Sequence, residues 1–260
     1  MRTTLAAARE IVGIPGYHRT LGRLDASAPW RRRDYGDHSR QYALLAEQDD
    51  PAAPVAVFFH GGAWQFGSPE RLQAFGEYFW SRGYTVWMPS HRRLPAYSGR
   101  AVYADAIHAV RAVRDFHAAR GQHARLLLGG MSSGGHLATL CALRQNDWSG
   151  TSDATGCSVE GLVVSAAPLS LEHLYSSTTR RRLAGPPGSK GFERLDPLKA
   201  LAGHPGFPAV VIHGTRDGLV PFKSSVAFVA EAHRVGWDDL EFVGLPGGTH
   251  LSAAAWLYDD

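Results

Sequence analysis

The sequence predicts an α/β protein built on a mostly parallel sheet, and three observations support that prediction. Short apolar runs typical of buried strands recur along the chain, and longer stretches with helical periodicity follow several of them. Strands that alternate with helices at these lengths need crossover connections, which join parallel strands. The chain has 260 residues, 44% of them hydrophobic, which is enough to bury a sizeable core. We therefore expect a single α/β domain over residues 1–260.

The predicted elements follow one another in a regular order along the chain. Strands are predicted at residues 54–60, 84–90, 124–130, 159–168, 207–214 and 240–246. Helices are predicted around residues 70–82 and at residues 100–120, 135–145 and 224–236. The helix at 100–120 places Val102, Ala106, Val110 and Val113 near one face, which is the spacing of a helix that packs against a sheet.

Two segments stand outside this alternation of strands and helices. Residues 169–206 contain Gly185, Pro186, Pro187 and Gly188, so they are expected to form a lid-like insertion over the sheet and not part of the core. Ligands of open parallel sheets bind beyond the carboxyl ends of the strands, and we expect the insertion to overhang that edge as a partly helical flap. Residues 1–35 are expected to form an N-terminal extension, and which of the two segments forms the lid is left open.

Composition and charge argue against several classes of protein. The net charge of +3 is mild and the basic residues are scattered, which gives little support to nucleic-acid binding. Two cysteines, Cys141 and Cys157, provide neither a disulfide framework nor a C-x-x-C metal motif. Arg9 and Glu10 break the N-terminal apolar run, and no long apolar span follows. We expect a cytoplasmic protein that binds neither nucleic acid nor a membrane, and the oligomeric state stays open.

Two adjacent serines lie at a turn from strand to helix in the stretch LLLGGMSSGGHLATL, residues 126–140. A nucleophile on such a sharp turn needs small residues two positions before and two positions after it. Gly130 and Gly134 satisfy this for Ser132, whereas Met131 stands where Ser133 would need a glycine. The stretch lacks the Gly-Lys-Ser/Thr of a phosphate loop and the G-x-G-x-x-G of a dinucleotide site. Ser132 is therefore the predicted nucleophile.

The surroundings of a serine nucleophile are also predicted from the sequence. The stretch FFHGGAWQFGS at 58–68 places Gly61 and Gly62 at the end of a strand, where their N–H groups can point into a cleft. Together with the N–H of Ser133, the residue after the nucleophile, these groups are candidates for an oxyanion hole. A serine hydroxyl needs a base to take its proton and an acid to orient that base. Asp217 and His250, each in a loop after a strand, are the candidate acid and base.

With these residues in place, the chain from about residue 35 onward resembles the α/β-hydrolase superfamily. Within it, the chain resembles the hormone-sensitive-lipase-like esterases and the arylformamidase-like hydrolases. MSSGGHLA is similar to their xSAGGxLA motif, and FFHGGAWQFGS is similar to their oxyanion loop, including the aromatic Trp64. RRLP at 92–95 resembles their YRLP stretch, with Arg92 in place of the usual aromatic. The resemblance implies an α/β-hydrolase fold, oxyanion N–H groups from Gly61, Gly62 and Ser133, and a small lid formed partly by residues 169–206.

The sequence therefore predicts a serine hydrolase that cleaves a carboxylic ester or activated amide of a small molecule through an acyl-enzyme. This chemistry needs neither a metal nor an organic cofactor. Two alternatives stay open. The first is hydrolysis of an N-formyl aryl amide of the formylkynurenine type. The second is a tailoring enzyme of secondary metabolism that uses the same fold for cyclisation, acyl transfer or epimerisation.

The sequence indicates a few candidate residues for the substrate pocket. Five aromatic or apolar residues lie on segments expected to rim the cleft, and they are the candidate pocket residues: Trp64, Phe66, Tyr97, Leu174 and Tyr175. His213, at the end of a predicted strand, is expected to pack beneath the loop that carries Asp217.

Overall fold

One eight-stranded sheet forms the centre of the computed structural model, which describes residues 2–22, 27–149 and 156–257. Its strands are β1 (Arg31–Asp34), β2 (Tyr42–Ala46), β3 (Val55–Phe59), β4 (Thr85–Pro89), β5 (Ala124–Met131), β6 (Cys157–Ser165), β7 (Ala209–Gly214) and β8 (Leu240–Leu245). They lie in the order β1-β2-β4-β3-β5-β6-β7-β8. Strands β3 to β8 are parallel to one another. Strand β2 pairs antiparallel with β4, and β1 pairs antiparallel with β2. The predicted parallel sheet is confirmed.

Eight helices flank the sheet in the described part of the chain. They are α1 (Arg2–Leu21), α2 (Gln73–Trp80), α3 (Gly99–Ala118), α4 (Ser133–Leu143), α5 (Ser177–Ala184), α6 (Lys190–Leu195), α7 (Pro197–Ala200) and α8 (Phe222–Arg234). Short 3₁₀ turns occur at Pro69–Leu72, Gln145–Asp147, Leu171–His173 and Leu251–Leu257. The four predicted helices correspond to α2, α3, α4 and α8. None of the described helices is both long and apolar enough to cross a bilayer.

Strands β3 and β4 are buried on both faces, which explains why they read as continuous apolar runs. In β3, Val55, Val57 and Phe59 pack into the larger core cluster, together with side chains from α3, α4 and α8. Ala56 and Phe58 point the other way, toward a second cluster that includes α2 and the Leu251–Leu257 turn. This alternation places helical layers on both sides of the sheet.

Three elements were not predicted from the sequence, and each has a physical reason. Strand β1 consists of exposed charged residues, so it carries no apolar signal, and β2 is a short buried strand that pairs antiparallel with β4. Helix α1 contains Gly13, Pro15 and Gly16, which disfavour a helix in isolation. Packing of its apolar side chains against the second core cluster stabilises it.

The insertion 169–206 is more deeply integrated than the sequence suggested. It forms the Leu171–His173 turn followed by α5, α6 and α7. Its side chains buried in the larger core cluster include Leu169, Leu171, Leu183, Phe192 and Leu195. The expectation that this segment lies outside the core is corrected, because its glycines and prolines fall between short helices whose apolar faces pack inward.

A very close backbone approach fixes the turn between β5 and α4. A Cβ atom at Gly134 would collide with the carbonyl oxygen of Phe59 at the end of β3. A Cβ atom at Gly130 would lie 2.5 Å from the carbonyl carbon of Gly134. Side chains are therefore excluded on both sides of Ser132, as the predicted motif requires.

Gly134→Ala should lower the free energy of unfolding by about 3 kcal/mol, because the new methyl group forces α4 away from β3. Urea unfolding measures this loss. Gly16→Ala is the matched control, since a Cβ at this exposed helical position meets nothing within 4 Å. That control should gain up to about 1 kcal/mol from helix propensity. A Gly134→Ala protein as stable as wild type would contradict the close approach.

Candidate active site

The candidate site lies at the carboxyl edge of the parallel strands. The loops that follow β3, β5, β7 and β8 meet there around a cavity of about 560 Å³. Ser132, His250, Gly61, Gly62 and Ser133 all line this cavity. The structure thus brings together five of the residues that the sequence singled out. Asp217 lies behind His250 and is almost completely buried.

Ser132 occupies the strained position of the turn. Its backbone has φ 56° and ψ −125°, a left-handed conformation that costs free energy for a residue with a side chain. A hydrogen bond from its N–H to the carbonyl of Ser165, at 2.8 Å, holds the turn against β6. Ser132 is partly exposed, whereas Ser133 is 2% exposed and its hydroxyl has no partner among the described residues. The geometry favours Ser132 over Ser133 as the reactive serine.

The candidate acid and base form a direct hydrogen bond. His250 Nδ1 lies 2.7 Å from Asp217 Oδ2. The other carboxylate oxygen of Asp217 accepts the N–H groups of Leu219 at 2.8 Å and Val220 at 2.7 Å. With these backbone donors the acid loop folds around its own side chain, which fixes the carboxylate before a substrate arrives.

His213 supports the acid from below, as the sequence predicted. Its Nε2 lies 3.1 Å from Asp217 Oδ2 and 3.1 Å from the carbonyl oxygen of Val220. Both of these partners are acceptors, so Nε2 carries the proton and donates to them. Nδ1 then accepts a hydrogen bond from the hydroxyl of Ser225, at 2.7 Å. Asp217 therefore receives donors on both of its oxygens.

These contacts lower the pKa of Asp217 and raise the pKa of His250. Burial opposes ionisation of Asp217, but His250 and His213 outweigh it and hold the pKa of this carboxyl well below its usual range. Burial also opposes a charged imidazole at His250, yet Asp217, followed by Glu10, outweighs it and raises the pKa of His250. The imidazolium that forms when His250 accepts a proton is therefore stabilised in place.

Two glycines of the loop after β3, Gly61 and Gly62, line the cavity. Neither Gly61 nor Gly62 donates its N–H to an acceptor among the described residues. Gly62 has φ 138°, and a Cβ there would collide with the carbonyl oxygen of Phe66. The N–H of Ser133 belongs to the first turn of α4, where helices leave their donors unpaired. All three predicted oxyanion donors thus line the same cavity.

A histidine that the sequence analysis did not assign a role connects this loop to the rest of the site. The indole N–H of Trp64 donates to His136 Nδ1 at 3.3 Å, and His136 Nε2 donates to the carbonyl of Leu195 at 2.7 Å. Burial lowers the pKa of His136 to about 4, so its ring is neutral and Nδ1 can accept. Helix α4 is thereby tied to both the oxyanion loop and the insertion.

Three of the five candidate pocket residues line the cavity: Trp64, Phe66 and Leu174. Tyr97 lies elsewhere, with its hydroxyl 2.9 Å from His38 Nε2, because its segment turns back toward β1 and β2. Tyr175 is 48% exposed and its hydroxyl donates to the carbonyl of Asp217 at 3.3 Å, so it supports the acid loop from outside. The placements of Tyr97 and Tyr175 in the pocket are corrected.

Arg92, which stands where related motifs carry an aromatic, does not reach the cavity. Its guanidinium and backbone N–H bind the carboxylate of Asp105 on α3, with a guanidinium contact at 2.7 Å. Asp105 is completely buried and also accepts from the amide of Gln41 at 2.7 Å. The substitution therefore belongs to the packing of α3 and not to the site.

The residue that sequence reasoning missed is Glu10. It lies on α1, is 6% exposed, and accepts the backbone N–H of Gly218 at 2.6 Å and of His250 at 2.8 Å. Burial, followed by the charge of Asp217, raises the pKa of Glu10. In the sequence, Glu10 is visible only as a single carboxylate within an apolar run, directly before IVGIPG. Its role can be interpreted only once α1 is known to cover the site.

Glu10, Asp217 and His250 bring three possible ligand atoms within 4.8 Å of one another. Each of these side chains is already engaged in this network: Glu10 accepts two backbone N–H groups, and Asp217 binds two imidazoles. A metal ion would have to displace these hydrogen bonds. The arrangement fits a hydrogen-bond network that orients His250 better than a metal centre.

Comparison with known proteins gives a family match over most of the chain. A family model described as BD-FAE matches residues 43–232. Esterase LipC of Mycobacterium tuberculosis is 28% identical over 249 residues, which cover 85% of this chain and 59% of LipC. The chain spans less than two thirds of the length of the curated relatives it matches, between 55% and 59%.

Solved structures share the arrangement of the sheet and helices. A truncated carbohydrate esterase from gut microbiota has a TM-score of 0.74 at 19% identity, covering 88% of this chain and 90% of its own. Esterase 2 of Thermogutta terrifontis, phosphonylated by sarin, has a TM-score of 0.69 at 25% identity, covering 88% of each chain. The first of these likenesses bears on the fold alone.

Asp217→Asn should lower the free energy of unfolding by about 1 to 3 kcal/mol at pH 7, because an amide group would face N–H donors on one side. The depressed pKa of Asp217 stabilises the fold above pH about 4, and this contribution is lost as pH falls through the folded-state pKa. The gap between wild type and variant should therefore narrow in acid.

Urea titrations from pH 3 to pH 9 measure this gap. Asp49→Asn is the control, since Asp49 is exposed and the same change there should cost less than about 0.5 kcal/mol at every pH. A gap that stays constant down to pH 3 would argue against an ionised, hydrogen-bonded Asp217.

Proposed function

The chain belongs to the BD-FAE family and has the predicted α/β-hydrolase fold, and from this premise we propose that it is a serine carboxylesterase acting on a small-molecule ester. One observation carries the proposal. A partly exposed serine on a strained turn lines the same cavity as a histidine that is hydrogen-bonded to a buried aspartate. This set of groups can activate a hydroxyl for attack on a carbonyl.

In the proposed reaction, Ser132 Oγ attacks the ester carbonyl while His250 takes its proton. The imidazolium is stabilised by Asp217, which keeps its own charge throughout. Collapse of the tetrahedral intermediate breaks the bond to the alcohol, and His250 passes the proton to that leaving group. Water, deprotonated by the same base, then releases the acyl group from Ser132.

Backbone donors would stabilise the negative charge that develops on the carbonyl oxygen. The N–H groups of Gly61, Gly62 and Ser133 would supply this stabilisation with little reorganisation. Backbone N–H groups of Gln65 and Phe66 donate to the carbonyl of Gly62 and hold that loop, and Ser133 begins α4. All groups in this mechanism come from the protein, so it uses no metal or organic cofactor.

The cavity argues for a compact substrate with an apolar portion. Its volume of about 560 Å³ lies in the range of small-molecule sites. Apolar side chains from four parts of the chain line it, among them Ile11 and Ile14 on α1, Met131 at the turn, Leu174 on the insertion and Leu219 on the acid loop. The esterase names of the relatives support an ester as the substrate class.

Ser132→Ala should abolish covalent labelling by a fluorophosphonate probe, because labelling requires an activated serine. A phosphonylated relative makes this class of reagent a suitable probe. Ser133→Ala is the matched control. It removes a buried hydroxyl that has no hydrogen-bond partner in the described part of the chain, and it keeps the backbone N–H. Labelling and turnover should therefore stay within about threefold of wild type. Labelling that survives in Ser132→Ala and disappears in Ser133→Ala would place the nucleophile one residue later.

Leu174→Ala should change the ranking of substrates by kcat/KM, because it removes apolar surface from the cavity wall. The measurement is a panel of p-nitrophenyl esters of graded chain length, with an N-formyl aryl amide included. Discrimination between neighbouring chain lengths should change by about tenfold. Tyr97→Phe is the control, since Tyr97 lies outside the cavity and the ranking should not move.

The same panel decides between the open alternatives. Preference of the wild-type protein for the formamide over every ester would favour the N-formyl aryl amide hydrolase. Absence of hydrolysis throughout the panel would favour the tailoring enzyme.

A further inference from the structure

We propose that Glu10 is a positioning residue for the acid–base pair, holding the loops of Asp217 and His250 together and stabilising the imidazolium form of His250. The inference rests on the proposed function and assigns part of its machinery to α1. It goes beyond the nucleophile, base, acid and oxyanion donors of the mechanism above.

The carboxylate of Glu10 bridges the loops of the acid and the base. The two carboxylate oxygens of Glu10 divide their hydrogen bonds between two loops, with Oε1 accepting from Gly218 at 2.6 Å and Oε2 accepting from His250 at 2.8 Å. Gly218 follows the candidate acid directly, and His250 is the candidate base. A single side chain therefore fixes the backbone of both partners at a point adjacent to their mutual hydrogen bond.

A carboxylate is the group that suits the position of Glu10. Two N–H donors converge on the side chain, so it must offer two acceptors, and a carboxylate does so where an amide offers only one. Glu10 is almost completely buried, and a carboxylate in such a place is retained only if its hydrogen bonds and charge partners offset the loss of hydration. The protonated base is the charge partner within reach.

Helix α1 is anchored over the site by apolar side chains that follow Glu10. Ile11 and Ile14 line the cavity, and Tyr17 and Leu21 belong to the second core cluster. These apolar contacts position the helix so that Glu10 reaches the backbone of Gly218 and His250.

Four ionisable groups from four parts of the chain surround the acid–base pair. Asp217 and Glu10 contact His250 directly, His213 contacts Asp217, and the hydroxyl of Tyr175 donates to the carbonyl of Asp217. His18 and Arg71 line the same cavity. Glu10→Gln changes none of these other side chains, so a shift in the titration of His250 traces to the loss of the Glu10 carboxylate.

Glu10→Gln should lower kcat by roughly 10- to 100-fold with KM within about threefold of wild type, because the base is displaced and its charged form is less stable. The acidic limb of the kcat/KM profile should move to lower pH, since a lost negative charge lowers the pKa of His250. Arg9→Gln, on the exposed face of the same helix, should leave both unchanged.

NMR titration of the His250 imidazole in the wild type and in Glu10→Gln measures the same shift without any substrate. This makes two failures distinguishable. A wild-type protein that hydrolyses nothing rejects the proposed function, and the NMR comparison still decides the role of Glu10. An identical His250 titration in both proteins, or a Glu10→Gln variant with wild-type kcat, overturns the inference.

A purely structural role would lower Tm and leave the acidic limb where it is. Should Glu10→Gln fail to fold, Glu10→Asp decides the question, because it keeps the charge and shortens the reach. That variant should keep the acidic limb near its wild-type position and lose kcat. Wild-type kcat in a folded Glu10→Asp protein would overturn the inference.

Discussion

The whole site depends on how closely the first turn of α4 approaches the end of β3. The approach is possible because Gly134 presents no side chain to the carbonyl oxygen of Phe59, and it forces Ser132 into a left-handed backbone conformation. Ser132 and the candidate oxyanion donors Gly61, Gly62 and Ser133 line one cavity beside this contact, so a single steric constraint bears on the placement of the candidate nucleophile and of these donors. Strain at Ser132 is held by the rigid strands on either side of β5.

A second constraint is the burial of charge next to the cavity. The carboxylates of Asp217 and Glu10 lie close to one another. Asp217 accepts two backbone N–H groups and contacts two imidazoles, and Glu10 accepts two backbone N–H groups. Neither carboxylate would be tolerated there without those donors. The result is a rigid network in which the position of the base is determined by three parts of the chain. Such preorganisation lowers the reorganisation that proton transfer would otherwise require.

The sequence predicted the parts of the site whose signal is local. Ser132 between its glycines, and Asp217 and His250 after strands, could be predicted as candidates because the turn and the strand ends impose residue types at short spacing. Glu10 could not be found, because its partners lie more than 200 residues away and α1 has weak helix propensity. Tyr97 was wrongly assigned to the pocket for a different reason. An aromatic residue beside a cleft motif carries no information on which way its segment turns.

The bond between Glu10 and the backbone of His250 joins positions 240 residues apart, and this has a consequence for how the protein acquires its structure. Closing such a long loop carries an entropic cost that must be met by contacts formed earlier, and pairings of this range form slowly. During synthesis, β3, β5 and the Ser132 turn can pack while the segment that carries His250 is still missing. The turn at Ser132 therefore depends on strands that precede His250 in the chain, whereas the contacts of Glu10 with the candidate acid and base need segments that are far apart in the sequence.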